Sequence, residues 1–345
     1  MVRRNLLRKI AGLVFIWTCA ALILATPGLS QEKAYDPLPS WNDGPAKQAI
    51  VNFVRKATDK SGPTYVAPAD RIATFDQDGT TWVEQPLYAQ AMFALDRVRE
   101  LAPQHPEWKT EPPFKAILEN DREAVARFTD EDWGKTIGVT HSGMTIEAFR
   151  KISQEWLTRA RHPRFKRPYT ELVYQPMLEV MQFLRMNGFK TYIVTGFGQE
   201  FVRAYGEKVY GVAPEQVVGS SFATKYEYQD GKPVLMLLPK VFFNDNFAGK
   251  AIGIHLFIGK RPLAAFGNST GDRQMLEYTG AGDGSRLMML VLHDDGKREY
   301  AYGPAQGLPG TKVGAFTQEL YDQAKKQGWV VISMKNDWNK IFAWE

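Results

Sequence analysis

The sequence predicts an α/β protein: a mostly parallel sheet covered by helices on both faces, with a helical block inserted near its start. Three observations carry this expectation. Short apolar, β-branched runs at 71–75, 190–196, 216–220, 262–266 and 286–293 alternate with segments whose apolar residues recur at helical spacing. One long stretch, 86–170, departs from that alternation and is mainly helical in its spacing. The 345 residues are 44% hydrophobic, enough to bury a large core in one big domain or two smaller ones.

In chain order, residues 1–30 stand apart from the fold. Arg3, Arg4, Arg8 and Lys9 precede an apolar run that ends near Pro27, Gly28 and Ser30, the pattern of an export signal cleaved after Ser30. The run is short and poorly flanked for a membrane span, with an uncleaved anchor as the alternative reading. No stable membrane association is expected after cleavage, and the mature chain is placed in the periplasm or outside the cell. Arg3-Arg4-Asn5-Leu6-Leu7-Arg8 also resembles a twin-arginine signal, with Val2 where Ser or Thr is usual, which leaves the export route open. Removing the segment takes four of the 43 basic residues and no acidic one, leaving 39 against 38. The net charge falls from +5 to +1, which argues against nucleic acid as a partner. Cys19, the single cysteine, goes with the segment, so disulfides, thiolate nucleophiles and Cys-ligated metals are excluded from the mature chain.

Polar, proline-containing residues 31–44 fit a linker. A helix at 45–60 (Ala46, Ile50, Phe53, Val54) is closed by Gly62 and Pro63 before the first strand. Within 86–170, Tyr88, Met92, Phe93, Leu95 and Val98 mark one helix. A second spans 114–128 after Pro112-Pro113, and a third spans 144–160 with Thr145 as its N-cap. Beyond the insertion 176–187 is amphipathic, Gly188 suits a C-cap, and the strand 190–196 follows. Residues 199–210 are helical, 216–220 form a third strand, and alternation over 222–239 around Asp230-Gly231 signals a hairpin. Strands at 262–266 and 286–293, a helix at 315–328 and a final run at 329–332 complete a core made of 45–85 and 171–345. This order of elements is Rossmann-like, with 86–170 as an inserted helical cap domain.

The chemistry concentrates in Arg71-Ile72-Ala73-Thr74-Phe75-Asp76-Gln77-Asp78-Gly79-Thr80-Thr81. Alternate residues of an extended chain share a face, so Asp76 and Asp78 reach one small volume beyond the strand's carboxyl end, where open α/β sheets bind their ligands. Taken alone, Asp-x-Asp-Gly is equally a turn. Other elements bring companions: Thr195 and Gly196 at the end of the second run, Asn268 and Asp272 after the fourth, and Lys250 at the start of the helix before it. Lys260 competes for the lysine position but lies only 12 residues before Asp272, too few for a helix and a strand. Phosphoryl transfer through a covalent intermediate needs a nucleophilic carboxylate, a proton donor, a cation and phosphate-holding donors, and the chain offers a candidate for each.

Asp76-x-Asp78-Gly79-Thr80, Thr195, Lys250 and Gly267-Asn268-x-x-Gly271-Asp272 together resemble the four motifs of the haloacid dehalogenase-like hydrolase superfamily. The insertion after the first motif is similar to the helical cap of phosphoserine-phosphatase-type members, and the whole mature chain resembles exported bacterial acid-phosphatase-like proteins. The resemblance implies a Mg2+-dependent phosphatase whose partner is a small-molecule phosphate ester. It implies that Asp76 is the nucleophile that becomes an aspartyl-phosphate. Asp78 would protonate the leaving group, then activate water, and offer its backbone carbonyl to the metal. Thr195 and Gly196 would hold the phosphoryl group, and Lys250 would neutralise charge on it and on Asp76.

Where relatives commonly have Gly-Asp-x-x-x-Asp, this chain has an amide, Asn268. Either Asn268 ligates Mg2+ with Asp272 behind it, or Asp272 ligates the metal itself. An amide oxygen brings less charge than a carboxylate. Weaker metal affinity is therefore expected, and Asn268→Asp is expected to lower the Mg2+ needed for half-activation. Asp78 favours ester hydrolysis over dehalogenation, because a halide leaves without a proton and an alkoxide does not. Phosphotransfer, dehalogenation and a catalytically reduced ligand-binding protein are the alternatives. Glu84, eight residues after Asp76, falls near the glutamate that meets the substrate amine in phosphoserine phosphatases; it is equally a helix N-terminal acid. Trp82, Trp133, Trp156 and His141 line an aromatic pocket or pack the core. Basic residues from Arg159 to Arg167 attract anions or form a solvated loop.

Overall fold

The apolar run at 71–75 forms β1 (Ile72–Phe75), buried along its whole length at the centre of a seven-stranded sheet. The others are β2 (Lys190–Gly198), β3 (Val217–Gln229), β4 (Lys232–Phe243), β5 (Ala264–Gly267), β6 (Leu287–Leu292) and β7 (Val330–Ser333). They lie in the order β4-β3-β2-β1-β5-β6-β7, and every neighbouring pair is parallel except the β3/β4 hairpin. The chain builds outward from β1 on one side through β2 and β3, then returns to its other side for β5, β6 and β7. This reversal opens a crevice at the carboxyl ends of β1 and β5, the usual ligand position in open α/β sheets. Phe75 and Phe266 are register partners whose rings stack 4.4 Å apart and hold those two strand ends level.

The computed structural model describes residues 36–345, and Pro37–Glu345 form one compact unit. The export-signal reading of 1–30 falls outside the described residues. Among these, no helix is long and apolar enough to cross a membrane. Successive strand residues feed opposite faces, as a doubly covered sheet requires. Ile193, Phe266 and Met289 join a large buried cluster on one face, whereas Val194, Ala265 and Leu290 join Phe316, Leu320 and Trp329 on the other.

Between β1 and β2 the segment 86–170 is helical: Ala89–Leu101, Phe114–Leu118, Arg122–Ala126, Asp130–His141 and Ile146–Arg159. Phe93, Phe149 and Trp156 from this segment belong to the same cluster as Phe75, while Leu95, Val98, Trp108, Phe114 and Ile117 form a small core of their own. The hairpin reaches it too, since Leu237 of β4 exchanges backbone bonds with Gly143 and Met144.

Several elements differ from expectation. The helix expected over 114–128 is two short helices, parted where Asn120 adopts φ 55°. That over 199–210 is likewise split, into Gln199–Arg203 and Gly206–Tyr210, with Tyr205 between them packed on Trp82. The helix Asp130–His141 was not expected from spacing; a Thr129/Asp132 capping box starts it. The third strand continues past 220 into the hairpin, whose turn has φ 51° at Asp230 and 75° at Gly231. The linker reading of 31–44 needs correcting from Pro37 onward. Leu38 and Trp41 are buried, Trp41 stands edge-on to Trp338, and Ser40 binds Glu179, because the two apolar residues find a groove in the body.

Candidate active site

The β1/β5 ladder runs one residue past the strand, with the Asp76 amide donating to Phe266 O at 2.9 Å, and there the chain turns. Gly79 N bonds Trp82 O and Thr81 N bonds Gln77 O, each at 2.9 Å, closing a tight loop that leaves both aspartates at the strand's end. Gly79 sits at φ +76°, and a Cβ there would fall 2.1 Å from Asn268 Nδ2, so neither its conformation nor its surroundings admit a side chain. Trp82 Nε1 donates to Asp78 Oδ1 at 2.8 Å, and Thr80 Oγ1 donates to Asp76 Oδ2 at 3.2 Å. The loop thereby orients its own carboxylates.

Lys250 stands on the helix Ala248–Gly253 and is only 2% exposed. Its ammonium donates to Asp76 Oδ1, to Asp272 Oδ1 at 2.6 Å and to Val194 O at 2.9 Å, which satisfies all three protons. Lys260 lies elsewhere, half-exposed on Asp70. The second Asp272 oxygen accepts from the amides of Asn268 and Ser269, both at 3.0 Å, and folds the loop after β5 around itself. Thr195 is buried at the end of β2, where its hydroxyl accepts from Phe197 N at 3.1 Å.

Asp76, Asp78, Glu84, Thr195, Gly196, Lys250 and Asp272, together with Tyr88, Asn246 and Ser269, line a single cavity of about 180 Å3. Asn268 does not line it; it is buried beside it, bonded to Thr80 and Glu84. Burial disfavours ionised carboxyls here. It pushes Asp78 up to about 6 against the opposing Trp82 bond and Lys250 charge. Asp76 is also raised, by burial and by the Asp272 charge, with Lys250 pulling the other way. Burial works against the Lys250 ammonium, but Asp272 and Asp76 outweigh it and hold its pKa above the usual lysine value. Among the described residues no group of three His, Cys, Asp or Glu side chains is spaced to hold a metal ion. The oxygens gathered at the cavity come instead from carboxylates, an amide and the backbone.

No family model matches the chain, and no curated protein matches it. Among solved structures, the chain is similar to a conserved protein of unknown function from Anaerococcus prevotii DSM 20548, with 15% identity, a TM-score of 0.49 and coverage of 72% of this chain and 86% of that one. A protein of unknown function from Bordetella pertussis Tohama I gives 18% identity and a TM-score of 0.46 over 76% and 98% of the two chains. A HAD family hydrolase from Salmonella enterica serovar Typhi gives 16% and 0.35 over 64% and 61%.

Apart from Glu84, which lines the cavity, the other residues singled out from the sequence serve the scaffold. Glu84 is no helix N-terminal acid, because it precedes the helix Ala89–Leu101 by five residues. Trp82, Trp156 and His141 are buried in the core, and Trp133 packs on Phe128. Arg159 pairs with Glu100, Arg167 with Glu171, and Arg164 donates to three carbonyls of the loop after β6. A groove of about 940 Å3, lined by Leu157, Arg203, Tyr205, Lys208 and Trp344 among others, contains none of the site carboxylates.

Contacts that the sequence did not signal come from the same loop after β6. His293 Nε2 donates to Gly79 O at 2.7 Å, its Nδ1 lies 3.1 Å from Glu299 Oε2, and its ring stacks on Tyr302. Tyr302 OH in turn donates to Glu84 Oε1 at 2.8 Å. Nothing in the local pattern of 293–302 points at a partner more than 200 residues earlier.

Proposed function

We propose that this chain is an exported, Mg2+-dependent phosphomonoester hydrolase of the haloacid dehalogenase-like superfamily that turns over a small organic phosphate through an aspartyl-phosphate. The observation that carries the reading is Lys250. A buried ammonium bridges Asp76 and Asp272 at the end of the central strands, in a cavity that Asp78 and Thr195 also line. A purely structural turn has no need of such a constellation.

In this reading a carboxylate oxygen of Asp76 attacks phosphorus while the bond to the leaving oxygen breaks. Asp78, kept protonated by burial up to about pH 6, gives its proton to the departing alkoxide. The resulting Asp78 carboxylate takes a proton from water, whose oxygen attacks the same phosphorus and releases Asp76 and inorganic phosphate. Lys250 offsets negative charge on Asp76 and the transferring group, and Thr195 and Gly196 hold its oxygens. Tyr88, from the helical insertion, lines the cavity and supports assigning 86–170 as a cap.

The donors suit a hard cation, since Asp76, the Asp78 carbonyl and Asn268 offer oxygen alone. Asp272 is engaged on both oxygens by Lys250 and by backbone amides, which favours Asn268 as the ligand with Asp272 behind it. Bound Mg2+ would neutralise the charged phosphate oxygens. The basic and apolar amino terminus is the ground for export.

Hydrolysis of p-nitrophenyl phosphate by wild type and Asp76→Asn, with and without Mg2+, tests the proposal. Metal-dependent turnover lost in the mutant is expected; turnover that survives Asp76→Asn would refute the mechanism. A wild type that binds phosphate without turnover would instead support a ligand-binding protein, the reading that the amide at 268 favours.

A further inference from the structure

We propose that Glu84 and Asn268 together do the work of one metal-binding carboxylate, the amide supplying the ligating oxygen and Glu84 the negative charge. The inference rests on the Mg2+ reading above. Asn268 Nδ2 donates to Glu84 Oε1 at 2.7 Å, and Thr80 Oγ1 donates to Asn268 Oδ1 at 3.1 Å. The same hydroxyl, with one proton to share, also lies 3.2 Å from Asp76 Oδ2, so the amide oxygen is turned toward the nucleophile's side of the site. Beside an ionised Glu84 a flipped amide would set its oxygen against the carboxylate, so a charged Glu84 selects the orientation seen here.

Glu84 is built into this place. Its Oε1 also accepts from Tyr302 OH at 2.8 Å. A Cβ on Gly79 would come within 2.3 Å of that oxygen, and one on Gly314 within 1.7 Å, so the carboxylate occupies a slot between two residues without side chains. It is 2% exposed and lines the cavity, yet among the described residues no Lys, Arg or His pairs with it. An ionised carboxylate buried without counter-charge is costly. A cation held by Asp76 and Asn268 is what would balance it, and outer partners of this kind tune metal affinity.

The arrangement reverses the expectation drawn from sequence for Asn268→Asp. With Glu84 in place, that substitution sets a carboxylate oxygen where an N–H now donates to Glu84 at 2.7 Å, replacing a hydrogen bond by repulsion. The charge-exchanged pair, Glu84→Gln with Asn268→Asp, keeps the hydrogen bond and the total charge.

Calorimetric titration of the mature protein with MgCl2, in wild type, the two single variants and the double variant, tests this, alongside melting temperatures measured in EDTA. Glu84→Gln is expected to weaken Mg2+ binding by about tenfold or more. Asn268→Asp alone should bind no more tightly than wild type and melt lower without metal. The double variant should recover both properties, with affinity within about threefold of wild type. Wild-type affinity in Glu84→Gln, tighter binding in Asn268→Asp alone, or failure of the double variant to recover overturns the pairing. Absence of Mg2+ binding in wild type overturns the metal reading itself, and the pairing with it.

Discussion

At the scale of single residues, the two aspartates of the first motif have different surroundings, which suits the different tasks proposed for them. Asp76 is tied to Lys250, whereas Asp78 is tied to Trp82, a neutral donor, and burial lifts it to about 6. A general acid must carry its proton when the leaving group departs. The rate of an alkyl phosphate ester is accordingly expected to fall as pH rises through about 6, a limb that Asp78→Asn should remove. That variant should lose roughly 100- to 10,000-fold on an alkyl ester and much less on p-nitrophenyl phosphate, whose leaving group departs unprotonated. Equal losses on both esters would remove Asp78 from that role. The spacing of Asp76 and Asp78 was legible because an extended chain repeats every two residues. The bond that distinguishes them was not, since it depends on how the following loop folds back. Lys250 is a similar case: its distance from Asp272 along the chain made it eligible, but only packing shows it buried while Lys260 stays half-exposed.

At the scale of elements, the loop that carries Asp76 and Asp78 is braced from outside its own motif. The loop after β6 sends His293 to the Gly79 carbonyl and Tyr302 to Glu84, so both ends of the turn lean on one distant segment. His293→Ala should lower kcat by about tenfold to a hundredfold through misplacement of Asp78, and His293→Gln, which keeps a donor, should restore part of it. Steady-state kinetics beside melting temperatures checks this; two variants equally slow and equally destabilised would assign His293 to packing alone. Periodicity located β1, β2, β5 and β6 well, because fully buried parallel strands are short apolar runs. It overran at 114–128 and 199–210. Asn120 turns left-handed between the first pair of helices, and Tyr205 leaves the second to stack on Trp82, events that hydrophobic spacing does not record.

For the molecule as a whole, the site carries a cost in stability. Asp245 is fully buried, neither carboxyl oxygen has a hydrogen-bond partner among the described residues, and burial pushes it up to about 8 despite Lys250 nearby. Asp76 and Asp78 are raised as well. A carboxyl raised in the folded state keeps a proton that the unfolded chain releases. Its stabilising contribution is complete below about pH 4 and is lost as pH rises toward 8. In metal-free buffer the unfolding free energy is therefore expected to decline between pH 5 and 8, and Asp245→Asn to reduce the slope by up to about 1.4 kcal/mol per pH unit. Urea unfolding at several pH values measures it; an unchanged slope would mean that Asp245 does not hold its proton.

Residue patterns along the chain already imply a mostly parallel sheet, a helical segment that interrupts it, and the placing of Asp76, Asp78, Thr195, Lys250, Asn268 and Asp272 near strand or helix ends. These follow from periodicity and spacing, which are local. It takes the packed molecule to show that 37–44 packs into the body, that Asp272 serves Lys250 and its own loop, and that Glu84, in a slot between Gly79 and Gly314, faces Asn268. Those partnerships join residues up to 300 positions apart, and no pattern along the chain encodes which buried group will meet which.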